Sequence, residues 1–458
     1  MRSFICKLVY WIMLKLYVFI LWALLPLLTM GKGILIQNVV IFDGKSEKTV
    51  TGNVWIEDNA IRKVSAEPIV AGAEVEVIDG RGKFLMPGLI DAHWHAYLAA
   101  NTMVDLLTAH ASYTQLRAGE EAGKTLLRGF TTIRDAGGPV FGLKRAIDEG
   151  TLPGPRIYPI NVNTHKFRCF KITRNRTHCH ADFRMVYDIP EPFDCCGLTH
   201  TEKIGAAIIA DGVDAVIVAS RNNLRLGASQ IKLMAGGGVS SLYDQLEDVQ
   251  YFEDELHAAV MAAEDAGTYV MVHVYVPEAI RRAIRAGVKS IEHGQLIDEP
   301  TMKLIAEKGV WLSMQPFIGE GNNHYTNPVQ QAKHELVVQG TDRAYQLAKK
   351  YGVKLAWGTD LLFSPANARN QNLNIEKMTR WFSNFEILKM ITHDNAELLA
   401  LSGRRNPYPG KLGVIEEGAL ADLIVVDGNA LEDIKVLTDP GKNMLLIMKD
   451  GKIYKNDL

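Results

Sequence analysis

Two histidines one residue apart, His93 and His95, are the first side chains in this sequence whose spacing could bind a metal. They follow the apolar run GLID, and residues two apart on an extended chain point to the same side, so both imidazoles could reach one cation. The same pair could instead be core histidines with their hydrogen bonds satisfied. The metal interpretation therefore depends on whether other ligand types occur in similar places.

Four further residues of ligand type lie in or at the ends of other apolar runs. Lys232 lies inside IKLM, where an unpaired ammonium would be costly to bury. His273 ends VMVH, His293 ends SIEH, and Asp360 ends AWGTD. Each of these alone could be a core residue or a salt-bridge partner. Their recurrence at the same end of successive runs indicates one shared metal site.

These runs belong to an alternation of strand-like and helix-like segments over residues 86–407. The strand candidates are GLIDAHWH, TTIRDAGG, PRIYPI, SQIKLMAGGG, YVMVHVY, KSIEHG, VWLSMQP and KLAWGTD. Segments such as PEAIRRAIRAGV lie between them, with helical spacing of apolar residues and a glycine stop. This alternation predicts an α/β fold, a (β/α)8 TIM barrel, whose chemistry lies at the carboxyl ends of its strands.

Short β-rich segments flank this region on both sides. Residues 33–85 contain ILIQNVVIFDG, NVWIEDNAIRKV and EVEVIDGRGKFL, and residues 408–458 contain GALADLIVVDG and NMLLIMKDGKIYK. Each run alternates or is β-branched and is bounded by turn residues. We predict that the two segments together form one small β-sandwich domain beside the barrel.

The composition of the 458-residue chain excludes several classes of protein. Its formal net charge is −2, whereas a nucleic-acid-binding protein would carry a strong basic patch. The five cysteines are too few and too irregularly spaced for a disulfide framework, and the adjacent Cys195 and Cys196 lack a second pair to form a structural zinc site. We expect a partner of small-molecule size and no nucleic acid.

Residues 1–30 carry a separate signal. Arg2, Lys7 and Lys15 precede the apolar run VFILWALLPLLT, which has the length of a signal-peptide core and is short for a membrane span. A retained signal peptide or membrane anchor would make the protein exported or membrane-anchored. Alternatively, translation starts at Met30, the preceding residues are an untranslated extension, and the protein is cytoplasmic.

The order of the candidate ligands along the chain resembles that of the amidohydrolase superfamily. Its pattern is HxH after the first strand, lysine on the fourth, histidine on the fifth and sixth, and aspartate on the eighth. The motifs GLIDAHWH, QIKLMAGGGVSS, VHVY, SIEHG and WGTD are similar to those of a narrower, prolidase-like group, also called imidazolonepropionase-related. That group includes dipeptidases that cleave Xaa-Pro or Xaa-Arg/Lys. The resemblance extends from Gly33 to the C-terminus.

The resemblance implies a centre with two divalent metal ions, and zinc suits the nitrogen and oxygen ligands. The implied ligands are His93, His95, Lys232, His273, His293 and Asp360. The first two histidines and the aspartate would bind the more buried ion, and the other two histidines would bind the second. Lys232 would be carboxylated by CO2 and bridge both ions. Asp360 would also be catalytic, taking a proton from the attacking water and passing it to the leaving amine.

The substrate residues follow from the same resemblance. Related deaminases carry a glutamate where this chain has Val276 and lack the strand-four lysine, so the sequence favours a peptidase or amidase. Tyr275 occupies a position expected to bind the free α-carboxylate of a substrate, and Tyr243 and Arg221 are further candidates for that role. Dipeptides and N-acyl amino acids fit best. Ochratoxinase-like or imidazolonepropionase-like cleavage of other carbon–nitrogen bonds is the alternative.

One segment departs from the family pattern. After GPRIYP the family has a glycine-rich loop, whereas this chain has a longer, basic segment over residues 160–179 before the match resumes at His180. His180 aligns with a histidine expected over the scissile carbonyl, and the segment is either a true insertion or a sequence error. If it blocks the pocket, the chain would be a non-catalytic scaffold. Association into a homo-oligomer is also implied by the resemblance.

Overall fold

The computed structural model describes residues 33–72, 74–160, 163–165, 200–241, 244–319 and 325–458, with the backbone alone at 163–165 and 200–201. The predicted leader at residues 1–30 and most of the basic segment at 160–179 lie outside these ranges. Within them, no helix combines the length and apolar composition that crossing a membrane requires.

Strands and helices alternate through the middle of the chain. The strands are β1 (Gly33–Ile41), β2 (Val50–Glu57), β3 (Ala60–Ser65), β4 (Val75–Asp79), β5 (Phe84–Pro87), β6 (Leu89–Trp94), β7 (Phe130–Asp135), β8 (Arg156–Tyr158), β9 (Asn163–His165), β10 (Ala207–Ile209), β11 (Ile231–Met234), β12 (Val270–Val274), β13 (Ser290–His293), β14 (Trp311–Met314), β15 (Leu355–Trp357), β16 (Leu423–Val426), β17 (Met444–Lys449) and β18 (Lys452–Asn456). The α-helices are α1 (Met103–Thr108), α2 (Ala111–Leu127), α3 (Phe141–Asp148), α4 (His200–Lys203), α5 (Val213–Leu226), α6 (Glu253–Asp265), α7 (Pro277–Arg285), α8 (Glu299–Lys308), α9 (Pro328–Tyr351), α10 (Pro365–Ala368), α11 (Leu373–Lys377), α12 (Asn384–Lys389), α13 (Asn395–Ala400) and α14 (Pro440–Asn443).

The strands from the two flanking segments form one sheet of eight strands, in the order β18-β17-β16-β5-β1-β2-β3, with β4 paired to β1. The N-terminal and C-terminal parts meet where β5 pairs antiparallel with β16, with Met86 opposite Ile424. The buried branched residues of this sheet, such as Ile36, Val54 and Leu423, form one apolar cluster. Burial of these side chains stabilises the pairing of distant parts of the chain. We call this eight-stranded sheet the terminal sheet.

The central strands are all parallel and form two sheets, β6-β7-β8 and β10-β9-β11-β12-β13-β14-β15. Each predicted strand run is a strand here, and β6, β7 and β11 to β14 are buried along their whole length. Strands covered on both faces have near-continuous apolar sequences, which explains why these runs were recognisable. The ladder from β11 continues to β9 rather than to β8, a pairing the sequence did not predict.

Hydrogen bonds outside the ladders connect the two parallel sheets. The Ser229 amide donates to the Pro159 carbonyl at 2.9 Å, between the end of β8 and the start of β11. On the other side, the Asn395 side chain donates to the carbonyls of Ile90 in β6 and Trp357 in β15, at 2.7 and 2.8 Å. The carboxyl ends of the parallel strands are thereby brought to one face, where the candidate ligands lie.

Candidate metal centre

Four histidines and an aspartate converge at the carboxyl ends of the parallel strands. A nitrogen of His93, a nitrogen of His293 and a carboxylate oxygen of Asp360 all lie within 4.8 Å of one another. His95 joins them through its Nε2, 3.1 Å from Asp360 Oδ1. His273 lies beside His293, with ring centroids 4.4 Å apart. The residues that the sequence predicted as ligands are therefore neighbours in space.

His93 is oriented by a buried charge pair beneath it. Its Nδ1 lies 2.7 Å from Glu292 Oε2, and the same oxygen accepts from Arg134 Nη2 at 2.7 Å. Arg134 and Glu292 are fully buried, and Ser290 donates to the other Glu292 oxygen at 2.6 Å. Burial alone would raise the pKa of Glu292, but the charge of Arg134 and the hydrogen bond from His93 hold it well below its usual value. The ionised Glu292 thus keeps the proton of His93 on Nδ1 and leaves the Nε2 lone pair facing the site.

His95 is oriented in the same sense by the backbone. Its Nδ1 lies 3.0 Å from the Gly137 carbonyl, which can only accept, so Nε2 carries the lone pair. The Asp135 carboxylate accepts from the amides of Ala96 and Gly137, at 2.9 and 3.0 Å. One buried acid therefore fixes both the segment after His95 and the turn that supplies its acceptor.

Asp360 faces the Nε2 atoms of His93 and His95. Its Oδ1 lies 3.3 Å from His93 Nε2 and 3.1 Å from His95 Nε2. Burial alone would raise the pKa of Asp360, but attraction to His93 and hydrogen bonds with both rings hold it well below its usual value. A carboxylate and two lone pairs at this distance repel unless protons or a cation lie between them. The donor set therefore fits a divalent cation, with nitrogen and oxygen ligands of the kind zinc takes.

The backbone at Asp360 is constrained as well. Its φ is +52°, and His293 has a φ of +78°, a left-handed conformation uncommon for residues with a side chain. Such strain concentrates at functional sites. Gly358 is needed for the approach of β15 to β6, because a Cβ there would lie 2.4 Å from His93 Cβ.

The remaining two histidines have neutral partners. His293 Nδ1 lies 2.6 Å from Gln315 Oε1, which leaves Nε2 for a metal. His273 is turned the other way, because its Nε2 lies 3.0 Å from the Gly237 carbonyl and must carry the proton. His273 therefore offers Nδ1, while the other three histidines offer Nε2. Burial lowers the pKa of His293 to about 3, so its ring is neutral at physiological pH.

Lys232 lies on β11, in register with Met271 of β12, and is almost fully buried. Burial lowers the pKa of its ammonium to about 8, although the carboxylates of Glu292 and Asp360 act in the opposite direction. The lysine therefore lies within the electrostatic reach of the same acids that surround the histidines.

Of the predicted substrate residues, Tyr275 lies beside the candidate ligands. Tyr275 is buried and stacks on His293, with ring centroids 5.1 Å apart and planes at 23°. Burial raises the pKa of Tyr275 well above its usual value, so the phenol stays protonated and can donate a hydrogen bond. Arg221 is an exposed residue of α5 and stays a prediction. Tyr243 and His180 lie outside the described residues.

Several supporting residues were not among the predicted site residues. Besides Glu292 and Arg134, Asp91 accepts from the His93 amide at 3.0 Å and from the Thr359 hydroxyl at 2.7 Å. Asp91 thus links the backbone of one ligand to the residue preceding another. Arg134, Asp91 and Glu292 are charged residues within apolar strand runs, and the burial argument applied to Lys232 would have identified them too.

The chain is similar to known proteins over most of its length. The model of the amidohydrolase family matches residues 84–454. The ochratoxinase of Aspergillus niger is 30% identical over 442 residues, covering 93% of this chain and 87% of that protein. A solved prolidase in complex with N-methylphosphonate-L-proline is 34% identical with a TM-score of 0.81, covering 93% of this chain and 100% of that one. A solved Xaa-Pro dipeptidase with bound methionine in its active site is 29% identical with a TM-score of 0.76, at the same coverage of 93% and 100%.

Proposed function

This chain belongs to the amidohydrolase family and is a hydrolase of amide bonds, and we propose that it cleaves dipeptides or N-acyl amino acids with a free carboxylate, using two divalent metal ions. The observation that carries the proposal is the convergence of four histidines and one aspartate at the carboxyl ends of the parallel strands, with the buried Lys232 inside β11 within electrostatic reach of Asp360. We assign His93, His95 and Asp360 to one ion and His273 and His293 to the other.

The residues present determine how the reaction would proceed. Two bound divalent ions, zinc in our proposal, would acidify the attacking water and polarise the scissile carbonyl. Asp360, ionised and on the same face as the histidines, accepts the proton of the attacking water. The water oxygen bonds to the carbonyl carbon, the carbon–nitrogen bond breaks, and Asp360 returns the proton to the leaving nitrogen. The products are a carboxylic acid and an amine.

Lys232 is proposed to act as a carbamate. Its ammonium first loses one proton, and the neutral amine then adds to CO2, forming a nitrogen–carbon bond and releasing a second proton, so that a cation becomes an anion. The low pKa of the buried ammonium supports this step because more of the amine is neutral at physiological pH. An anion between two dications is better compensated in a buried site than an ammonium would be.

The substrate proposal rests on relatives and on Tyr275. A prolidase and a Xaa-Pro dipeptidase are among the similar solved structures, which supports Xaa-Pro dipeptides. Xaa-Arg and Xaa-Lys dipeptides are proposed from the sequence motifs alone. Tyr275 keeps its phenol proton and stacks on a metal-ligand candidate, so it is suited to donate to the substrate carboxylate. The ochratoxinase favours the N-acyl amino acids among the proposed substrates. We regard imidazolonepropionase-like cleavage as a further alternative with less support.

Metal analysis and a substrate panel test the proposal. We expect two divalent ions per chain and release of amino acids from Xaa-Pro, Xaa-Arg or Xaa-Lys dipeptides, with N-acyl-phenylalanine as the comparison substrate. One ion per chain would contradict the binuclear assignment. Activity on the N-acyl compound without activity on any dipeptide would favour N-acyl amino acids over dipeptides as the substrates.

The Asp360→Asn variant separates an enzyme from a non-catalytic scaffold. Loss of a positioned proton carrier reduces turnover by about 10²–10⁴-fold. We expect kcat to fall in that range while circular dichroism shows a folded protein. Partner capture without turnover in either the parent or the variant would favour the scaffold.

Four wider proposals remain. We propose that the two parallel sheets close into a (β/α)8 barrel over about residues 86–407, supported by the Asn395 and Ser229 hydrogen bonds between them. The terminal sheet would be the β-sandwich domain of residues 33–85 and 408–458. We also propose that the protein forms a homo-oligomer. Residues 1–30 are proposed to be a leader that makes the protein exported or membrane-anchored if they are retained.

A further inference from the structure

A buried lysine on α9 binds the loop that follows β11. Lys333 is 4% exposed, and its ammonium donates to the Ser241 carbonyl at 2.9 Å and to the Gly238 carbonyl at 3.4 Å. It also donates to the carbonyl of Asp244 and lies 3.5 Å from that residue's Oδ1. One side chain thus binds acceptors from several parts of this loop, whose described residues are 235–241 and 244–250 and which we call the β11 loop.

A second residue of α9 reinforces the contact. Gln330 lies three residues before Lys333, on the same side of the helix, and donates to the Ser240 carbonyl at 2.5 Å. Both side chains are nearly fully buried. A buried ammonium is costly unless its donors are satisfied, so the loop and Lys333 require each other.

The β11 loop reaches the metal centre at Gly237. The carbonyl of Gly237 accepts from His273 Nε2 and so determines which nitrogen of that ring faces the ions. The loop is tightly folded at this point, since a Cβ on Gly237 would lie 1.9 Å from the Gln245 carbonyl oxygen. A displacement of the loop would therefore move the acceptor of His273 and leave His93 and His95, which have other partners, in place.

We propose that Lys333 is a positioning residue for one of the two metal ions: from α9 it holds the β11 loop so that Gly237 keeps His273 with Nδ1 directed at the site. The inference rests on the proposed binuclear function. Lys333 and Gln330 act only through the loop, and their influence is restricted to the ion bound by His273 and His293.

The test is a metal titration of the Lys333→Met variant of the full chain with Zn²⁺, measured by dialysis and elemental analysis. Lys449→Met is the matched control, because Lys449 is another buried lysine and lies in the terminal sheet. Removing a partner that orients a metal-ligating histidine weakens the metal by about 10–100-fold. We expect that loss for one ion only in Lys333→Met, and two ions of parent affinity in Lys449→Met.

A double variant checks that the affected ion is the one bound by His273. His273→Asn alone should lose the same ion, and combining it with Lys333→Met should add little further loss, because both changes act on one interaction. Gln330→Met is measured in the same titration and stands in if Lys333→Met does not fold, with a smaller selective loss expected.

The titrations distinguish a failure of the role of Lys333 from a failure of the proposed function. Two ions of parent affinity in Lys333→Met, or equal weakening of both ions, would overturn the role of Lys333 while leaving the proposed function intact. Fewer than two ions in the parent protein would overturn the binuclear function and this inference with it. A selective loss in Lys333→Met that His273→Asn does not reproduce would also overturn the inference.

Discussion

The two halves of the metal centre are supported in opposite ways. On one side, His93 is hydrogen-bonded to the ionised Glu292, and Glu292 forms a buried ion pair with Arg134. On the other side, His293 and His273 are bonded to a neutral amide and a backbone carbonyl. In the first half, His93 is thus oriented by buried charge carried on strands, and His95 by a backbone carbonyl whose turn the buried Asp135 holds. The second half is oriented by neutral dipoles alone, one of which belongs to a loop.

This difference indicates how each half responds to change. A buried ion pair costs free energy to form and much more to break, because the remaining charge is left without a partner. A neutral acceptor contributes about 1 kcal/mol and costs less to lose. We therefore expect substitutions on the charged half to affect both folding and metal binding, and those on the neutral half to affect metal binding alone.

Replacement of Arg134 gives the largest expected effect. Arg134→Met leaves Glu292 buried and uncompensated and removes donors to Tyr269 and Ser313, so the free energy of unfolding should fall by about 3–5 kcal/mol. Thermal and denaturant unfolding measure it. Arg156→Met is the matched control, because Arg156 pairs with Asp422 away from the site. It should lose comparable stability with unchanged metal affinity, and equal metal loss in both variants would contradict the comparison.

Replacement of Glu292 tests how the charged half determines metal affinity. Glu292→Gln keeps the size of the side chain but removes the charge that holds the proton on His93 Nδ1, and an amide NH2 there favours the wrong tautomer. We expect the ion of His93, His95 and Asp360 to bind about 10–100-fold more weakly. Zinc titration measures it, with the second ion as an internal reference. An unchanged first ion would show that Glu292 does not orient His93.

Replacement of Gln315 gives the smallest of the three effects. Gln315→Met removes the acceptor of His293 Nδ1, a neutral hydrogen bond, so we expect about tenfold weaker binding of the second ion. The free energy of unfolding should change by less than in Arg134→Met. A loss of stability as large as that of Arg134→Met would remove the distinction between the halves.

The positions of the candidate ligands at one face could be predicted from the sequence, but which partner orients each of them could not. His93, His273, His293 and Asp360 each follow an apolar run, and the ends of parallel strands meet at one face. The partner of His93 lies 199 residues away, and no local pattern encodes that pairing. The same holds for the hydrogen bonds from Lys333 to the β11 loop, which lies about 90 residues before Lys333 in the chain.

For the fold, the positions of the strands could be predicted from the sequence, but their pairing could not. Buried parallel strands have near-continuous apolar sequences, so their positions were recognisable from the residues. The pairing of β11 with β9 was not, because β9 is a short segment, NTH, without an apolar or alternating pattern. Strand order depends on contacts between residues far apart, whereas strand identity depends on neighbours.

The pairing of β5 with β16 has a consequence for synthesis. β5 leads directly into β6, which carries His93, yet its partner lies some 340 residues downstream, from Met86 to Ile424. At about 5–20 residues per second, a ribosome needs roughly 17–70 s to make the intervening chain. During that interval the apolar strand FLMP has an open edge of the kind that recruits other chains. The nascent protein should therefore depend on chaperones until β16 emerges.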